Sequence, residues 1–260
     1  MEKILNKPIA NTFAKLGFNG TRVDVVDGVK TQELNVAAGE TKLVVIDDSS
    51  LELRAEVGAG ATLKLIQIRR GGEETGVVDV HVNCLDNAKF EWYRVVLGGD
   101  ATYDNCSVEL SGNESSFEAY VGYRLDGNEV YDGNVESVHT GKNTTTIITA
   151  SGVLDGEAYK MLKSTIDFRR GCKGASGAEN EDVLLMSETV KNKSLPVILC
   201  SEEDVDGQHG ASIGRLDEGL VFYLESRGLS TESVYELMAA GKLNTIIRKI
   251  PDEEIRNGLE

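Results

Sequence analysis

A chain of 260 residues with 40% apolar content can bury a sizeable core and is too apolar for wholesale disorder. Its formal charge of −16 argues against nucleic acid and anionic lipid as partners, because phosphate binding needs clustered Lys and Arg. No apolar run reaches the ~18 residues of a membrane-spanning helix, and the start, MEKILNKPIANTF, lacks the apolar centre of a secretory signal, so a cytoplasmic protein is expected.

In chain order, residues 1–22 read as a short N-terminal segment. From Val23 the sequence alternates apolar and polar residues. Thr41 to Asp47, Leu51 to Val57 and Ala61 to Ile68 each read as half-buried strands. VVDVHV, AKFEWYRVVL, SFEAYVGYRL and TTTIITASGVL follow, separated by turns that rely on Gly and Asn. A repeat runs through this region. Leu63 to Phe90 is 27 residues, Phe90 to Phe117 is again 27, and a similar segment around Ile147 comes 30 later. Each period holds about two strands, which suits stacked units unable to bury their apolar face alone.

Two architectures fit this pattern, a β-solenoid and a β-sandwich. The solenoid is preferred, since one period spans two strands and few Asp-Gly or Asn-Gly hairpin turns join the runs. LDGN at Leu125 and LDGE at Leu154 are the exceptions. The β core is expected over residues 23–214 and a helical region over 215–260.

Asp217 fits the N-cap of a helix over EGLVFYLESR, and Gly228 its left-handed C-terminal residue. Ser230 or Thr231 opens a second helix, which Gly241 is expected to stop, with Val234, Leu237 and Met238 on one face. NTIIRKI adds a turn or two before Pro251, and the acidic tail forms a short frayed helix. The plain reading puts the apolar faces of both helices in the core. The other reading leaves Phe222, Tyr223 and Met238 as surface for a partner helix or groove.

Cys84, Cys106, Cys172 and Cys200 are scattered without a C-x-x-C pair, so they read as reduced core thiols. His81, His139 and His209 share no H-E-x-x-H spacing, so a self-contained zinc site is not expected. His209 reads as a residue of a glycine-flanked turn, between Gly207 and Gly210. It is either bonded to a turn carbonyl or presented at a surface, where neutral imidazole suits iron. Cys200, nine residues earlier, reads as a buried strand cysteine or as a thiolate facing the same edge. Glu202, Glu203, Asp204 and Asp206 read as a solvated acidic turn. No G-x-x-x-x-G-K-[ST] is present, so any nucleotide chemistry belongs to a partner.

The stretch LPVILCSEEDVDGQHGASIGRLDEGLVFYLESRG resembles the C-terminal signature of the SufB/SufD iron–sulfur cluster assembly family. Its marks are Pro196, Glu203-Asp204-Val205, His209-Gly210-Ala211, Ile213 to Asp217, Phe222-Tyr223-Leu224 and Ser226-Arg227-Gly228, in ungapped spacing. RRGCKGASGAENEDVLLMSE upstream is similar, less specifically. The resemblance implies a right-handed parallel β-helix with a small C-terminal helical appendage. It also implies a cytosolic scaffold for nascent clusters that is not itself an enzyme. Partners would be a SufC-type ABC ATPase, docked through the C-terminal helices, and a SufB/SufD-type subunit, in a homo- or heterodimer, paired near His-Gly-Ala. Asp217, Phe222, Tyr223 and Arg227 would form the docking face.

The chain departs from the family pattern in several places. The larger members' helical N-terminal region is missing or reduced to MEKILNKPIANTFAKLG. Leu199 and Cys200 stand where glutamate and isoleucine are usual, and Gly241-Lys242 replaces Gly-Phe. His-Gly-Ala lacks the neighbouring carboxylate of His-Glu-Ala. An iron–sulfur cluster is therefore expected only transiently, at a shared interface through His209 and Cys200, and not held tightly by this chain alone. The other function classes are a carbohydrate-active β-solenoid, disfavoured by 6% aromatic content, and a plain protein-binding module.

Overall fold

The computed structural model describes residues 2–6, 20–24, 29–46 and 50–259. The segment expected over residues 1–22 and the strand start at Val23 fall partly outside these. Here β1 (Glu2–Leu5) pairs antiparallel with β2 (Thr21–Asp24). Fourteen further strands follow in sequence-adjacent pairs: β3 (Lys30–Val36) with β4 (Thr41–Ile46), β5 (Ser50–Val57) with β6 (Thr62–Arg70), and β7 (Gly76–Cys84) with β8 (Lys89–Leu97). Then come β9 (Ala101–Leu110) with β10 (Ser116–Leu125), β11 (Val130–His139) with β12 (Thr145–Leu154), β13 (Tyr159–Phe168) with β14 (Ala175–Leu185), and β15 (Lys191–Cys200) with β16 (Val205–Gly214).

Odd-numbered strands from β3 form one seven-stranded parallel sheet and even-numbered strands from β4 the other. Each pair is one coil, and the fold is a parallel β-solenoid. The sandwich alternative is excluded, because no two of these strands pair as an antiparallel hairpin. LDGN and LDGE are likewise not hairpin turns; they carry the chain from β10 to β11 and from β12 to β13, across to the other sheet.

The coils stay in register because the turns stack. Gly39, Gly60, Asn87, Glu114, Asn143 and Gly174 occupy equivalent corners, all with φ between 54° and 74°. The N–H of each of the six bonds a carbonyl in the turn of the next coil, as in Gly60 to Asp86 O at 2.8 Å and Gly174 to Asp204 O at 2.7 Å. Gly and Asn tolerate this left-handed conformation at little cost. Glu114 is the exception, carried by the stack on either side.

The core follows from period-two alternation. Leu63, Phe90 and Phe117 are register partners on one inner row, with the two phenyl rings stacked at 5.4 Å. Each such fully buried ring contributes roughly 1.5–3 kcal/mol. The row continues one residue earlier than the repeat implied: Thr146 partners Phe117, whereas Ile147 faces outward and is exposed. Gly152 has to be glycine, because a Cβ there would lie 1.8 Å from the Tyr123 ring.

Polar groups also enter the interior. Arg94 grips Asp104 through two bonds of 2.6 and 2.9 Å, and Lys160 pairs with Glu181, which also accepts from the Tyr123 hydroxyl at 2.9 Å. Such buried pairs add little net stability, but losing one partner strands a buried charge at a cost of about 3–5 kcal/mol.

Three helices end the chain: α1 (Glu218–Ser226), α2 (Thr231–Ile247) and α3 (Glu253–Asn257). Asp217 caps α1 through Leu220 N at 2.9 Å, and Gly228 adopts φ +96° as expected. Ser230 is the N-cap of α2. Gly241 does not stop α2, which runs six residues further. Beyond that glycine, Leu243, Ile246 and Ile247 continue the buried face, and their packing outweighs the ~1 kcal/mol a mid-helix glycine costs. This helix crosses the outer face of β10, β12 and β14. Ile255 and Leu259 then pack on Ile66, Ile68, Tyr93 and Val95.

Candidate functional site

The last coil carries the residues singled out in the sequence. Strands β15 and β16 are the terminal members of their sheets, so each has an open hydrogen-bonding edge among the described residues. His209 lies within β16, in extended backbone paired with β14, and not in a turn. The flanking glycines serve packing. A Cβ on Gly207 would meet Ile198 and Phe168 at 3.2 Å, and one on Gly210 would meet Asn180 Oδ1 at 3.0 Å.

Register places His209 on an inner row: Leu65, Trp92, Ala119, Ile148, Glu179, His209. Since no described coil follows, the imidazole is exposed at the mouth of the solenoid. Beneath it Glu179 is buried at 6% exposure, and burial pushes its carboxyl up to about 7. Ser164 and Lys160 pull the other way, and Glu181 pushes it further up.

Cys200 ends β15 and is exposed, in contrast to the buried Cys84, Cys106 and Cys172. Its thiol donates to Glu202 O at 3.0 Å. Cys200 stands at the corner of the coil and His209 near the middle of the facing strand. No group of three or more His, Cys, Asp and Glu converges as a metal site among the described residues. Glu202 accepts from Gly171 N, which with neighbouring amides holds its carboxyl below the usual range. The acidic run thus partly organises its own turn.

The other two histidines sit elsewhere. His139 is interior, bonded to Thr144 at 2.7 Å and Thr146 at 2.9 Å, and burial lowers its pKa to about 4. On an outer face, His81 contacts Asp79 at 2.9 Å, which raises its pKa.

The helical residues divide. Helix α1 has no buried residue; Phe222 is 72% and Tyr223 51% exposed, with the Arg227 guanidinium 5.1 Å over the Tyr223 ring. Leu220, Leu229 and Leu237 extend this apolar surface. Met238 does not belong to it. It packs with Val153, Leu184 and Ala239, and Leu237 is the exposed member of that pair. Asp217 contributes through its cap.

Sequence reasoning missed Glu179, Glu181 and Lys160. The signal was present in GAENEDV, where two glutamates two residues apart share a strand face. That pattern does not say whether the face is inner or outer.

A two-sheet parallel solenoid with an open last coil and a helical strap defines the class of protein. Residues 19–242 match the family described as SUF system FeS cluster assembly, SufBD core domain, and the chain belongs to it. It is similar to an iron–sulfur cluster assembly SufBD family protein of Arabidopsis thaliana chloroplasts, 24% identical over 205 residues, covering 75% of this chain and 37% of that one. It is similar also to the iron–sulfur cluster assembly protein SufD of Bacillus subtilis, 25% identical over 173 residues, with 66% and 40% covered. A SufBD family protein of Synechocystis is 25% identical over 167 residues, with 64% and 35% covered. The chain thus aligns with less than half the length of each of these relatives. Family membership replaces the carbohydrate-active reading. No described helix is long and apolar enough to cross a membrane.

Proposed function

We propose that this chain is a non-catalytic scaffold subunit of a SUF-type assembly complex. It docks an ABC-type ATPase through α1 and pairs with a SufB/SufD-type subunit through its last coil. The observation that carries the reading is the apolar face of α1, where Phe222, Tyr223 and Leu220 lie exposed on a helix whose caps hold it formed. Aromatic and arginine side chains in such a setting are typical anchors at interfaces. Asp217 acts by fixing the first turn, and Arg227 by stacking on Tyr223.

The open edges of β15 and β16 support the pairing, because unpaired strand edges are templates for another strand. His209, exposed on the inner row there, is the residue assigned to a nascent iron–sulfur cluster, which is cargo and not a resident cofactor. Cys200 is a second, separate donor at the same end, so a cluster shared across two subunits fits this chain better than one held by it alone.

The test is association with the cognate ATPase, measured by titration calorimetry with and without ATP. Micromolar binding that Phe222→Asp weakens at least tenfold is expected, since burying a hot-spot aromatic contributes about 2 kcal/mol or more. No association of the unsubstituted chain at micromolar concentration overturns the reading.

A further inference from the structure

Helix α1 buries none of its residues, so the side chains around its apolar face describe whatever covers that face. The face is built from Leu220, Phe222, Tyr223, Leu229 and Leu237, all exposed, with Phe222 the most exposed of them at 72%. Acids surround it. Glu218, Phe222 and Glu225 follow one another at helix spacings of four and three, so they form one row with the phenyl ring between two carboxylates. Glu232, in the first turn of α2, and Glu236, one residue before Leu237, are exposed as well.

The cations nearby are already committed to groups of this chain. Arg215 pairs with Glu188 at 2.8 Å, Arg124 with Glu236 at 2.7 Å, and Lys242 with Asp182. Arg227 lies over the Tyr223 ring. Glu225 accepts from the Thr231 hydroxyl, which leaves its charge unneutralised. Glu218 and Glu232 make no ion pair among the described residues. Acids in a first turn also favour the positive end of the helix dipole. That role keeps a helix formed and bears on how long a complex lasts, whereas recognition by charge bears on how fast it forms.

An apolar face ringed by uncompensated carboxylates fits a second copy poorly, since the copy brings the same acids against them. It fits a surface of the opposite sign. We propose that α1 is received by an apolar groove rimmed with Lys and Arg, the rim drawing the two proteins together and the Phe222 ring holding them. This rests on the docking reading and adds to it the chemistry of the partner's surface.

Association kinetics of the full chain with the cognate ABC-type ATPase, followed by surface plasmon resonance across a salt series, test this. The association rate constant kon is expected to fall at least about tenfold between ~50 and ~500 mM salt. Glu218→Gln combined with Glu232→Gln is expected to lower kon about threefold or more at low salt and to leave koff within about twofold. Phe222→Ala acts in the other sense, raising koff about tenfold or more. Glu33→Gln combined with Glu56→Gln removes the same charge from exposed positions on β3 and β5, at the far end of the solenoid. It is expected to leave both rates near the parent's, because a Debye length of about 10 Å keeps distant charges out of the encounter. A kon indifferent to salt overturns the proposal. So does a rim variant no slower to bind than the distal one, and so does a rim variant that acts on koff alone, which would make the two acids helix supports. Each of these leaves the docking reading standing, whereas no binding by the unsubstituted chain at any salt sinks both. A dimer of this chain that Phe222→Asp dissociates would give the face to a second copy and likewise overturn the proposal.

Discussion

Glu179 occupies a row where every earlier coil places an apolar side chain: Leu65, Trp92, Ala119 and Ile148. Its carboxyl, ordinarily near 4.5, is raised to about 7 by burial. A folded-state pKa above the unfolded value means the folded protein prefers the protonated acid. Stability is therefore fullest below about 4.5 and is lost as pH rises through 7. Glu179→Gln removes that loss, so the variant is expected to gain about 2 kcal/mol more over the parent at pH 8 than at pH 5. Urea unfolding at the two pH values checks this; an equal gain at both would refute it. His139 works oppositely. Its pKa, lowered from 6.5 to about 4, costs stability as pH falls below 6.5, and this background is common to parent and variant. His209→Ala, at an exposed position, is expected to change stability by less than ~0.5 kcal/mol while impairing cluster maturation. Wild-type maturation rates with that variant would refute the proposed role of His209 in holding the cargo. Glycines and a family signature single out His209 in the sequence, but they also suggest a turn where the structure has a strand. Glu179 was not legible there, because parallel register joins residues 30 positions apart and no local pattern records which neighbour a coil will bring.

At the scale of elements, α2 shows where local propensity yields to packing. Gly241 reads as a stop, yet the helix continues because Leu243, Ile246 and Ile247 are buried on the sheet beyond it. An added methyl at Gly241 meets nothing within 4 Å, so Gly241→Ala is expected to stabilise the protein by about 1 kcal/mol without touching α1. Thermal unfolding measures it, and a loss of stability would mean the helix is strained there. Ile246 lies against Gly122, where a Cβ would come to 3.3 Å from its side chain. Ile246→Ala is expected to cost about 2–4 kcal/mol and to loosen α2, seen as faster amide exchange in residues 231–247. Exchange unchanged there would show the helix held by other contacts, such as Lys242 with Asp182. The caps of α1 were readable from Asp217 and Gly228. The strands β9 and β11 were not, because ATYDNCSVEL and VYDGNVESVH place Asp, Asn and Gly on strand faces, where they look like turns.

For the whole molecule, the period of 27 residues was enough to choose stacked coils over hairpins, since only a parallel stack returns Leu63, Phe90 and Phe117 to one row. Its drift in later coils, with Thr146 opposite Phe117, comes from strands of ten residues in β10 and β11 where β6 and β7 have nine, a lengthening that the pattern could not assign. The net charge of −16, with Glu202, Glu203, Asp204 and Asp206 beside the open last coil, bears on pairing. Two copies meeting end to end bring like charges together, whereas a subunit with a basic end meets opposite ones. Self-association is thus expected to strengthen as salt rises, and association with a complementary subunit to weaken. Sedimentation velocity across a salt series separates the two, and a self-association that weakens with salt would contradict this assignment of charge at the interface.

The strap formed by α2 and α3 lies on strands made much earlier in the chain, down to Ile66 and Ile68. During translation the coils can therefore wind up one after another as they leave the ribosome, while the apolar stripe on their outside waits for residues 231–259. Premature termination before that point would release a wound but unsheathed product, with Ile66, Ile68, Tyr93 and Val95 bare to water and open to chaperones and proteases.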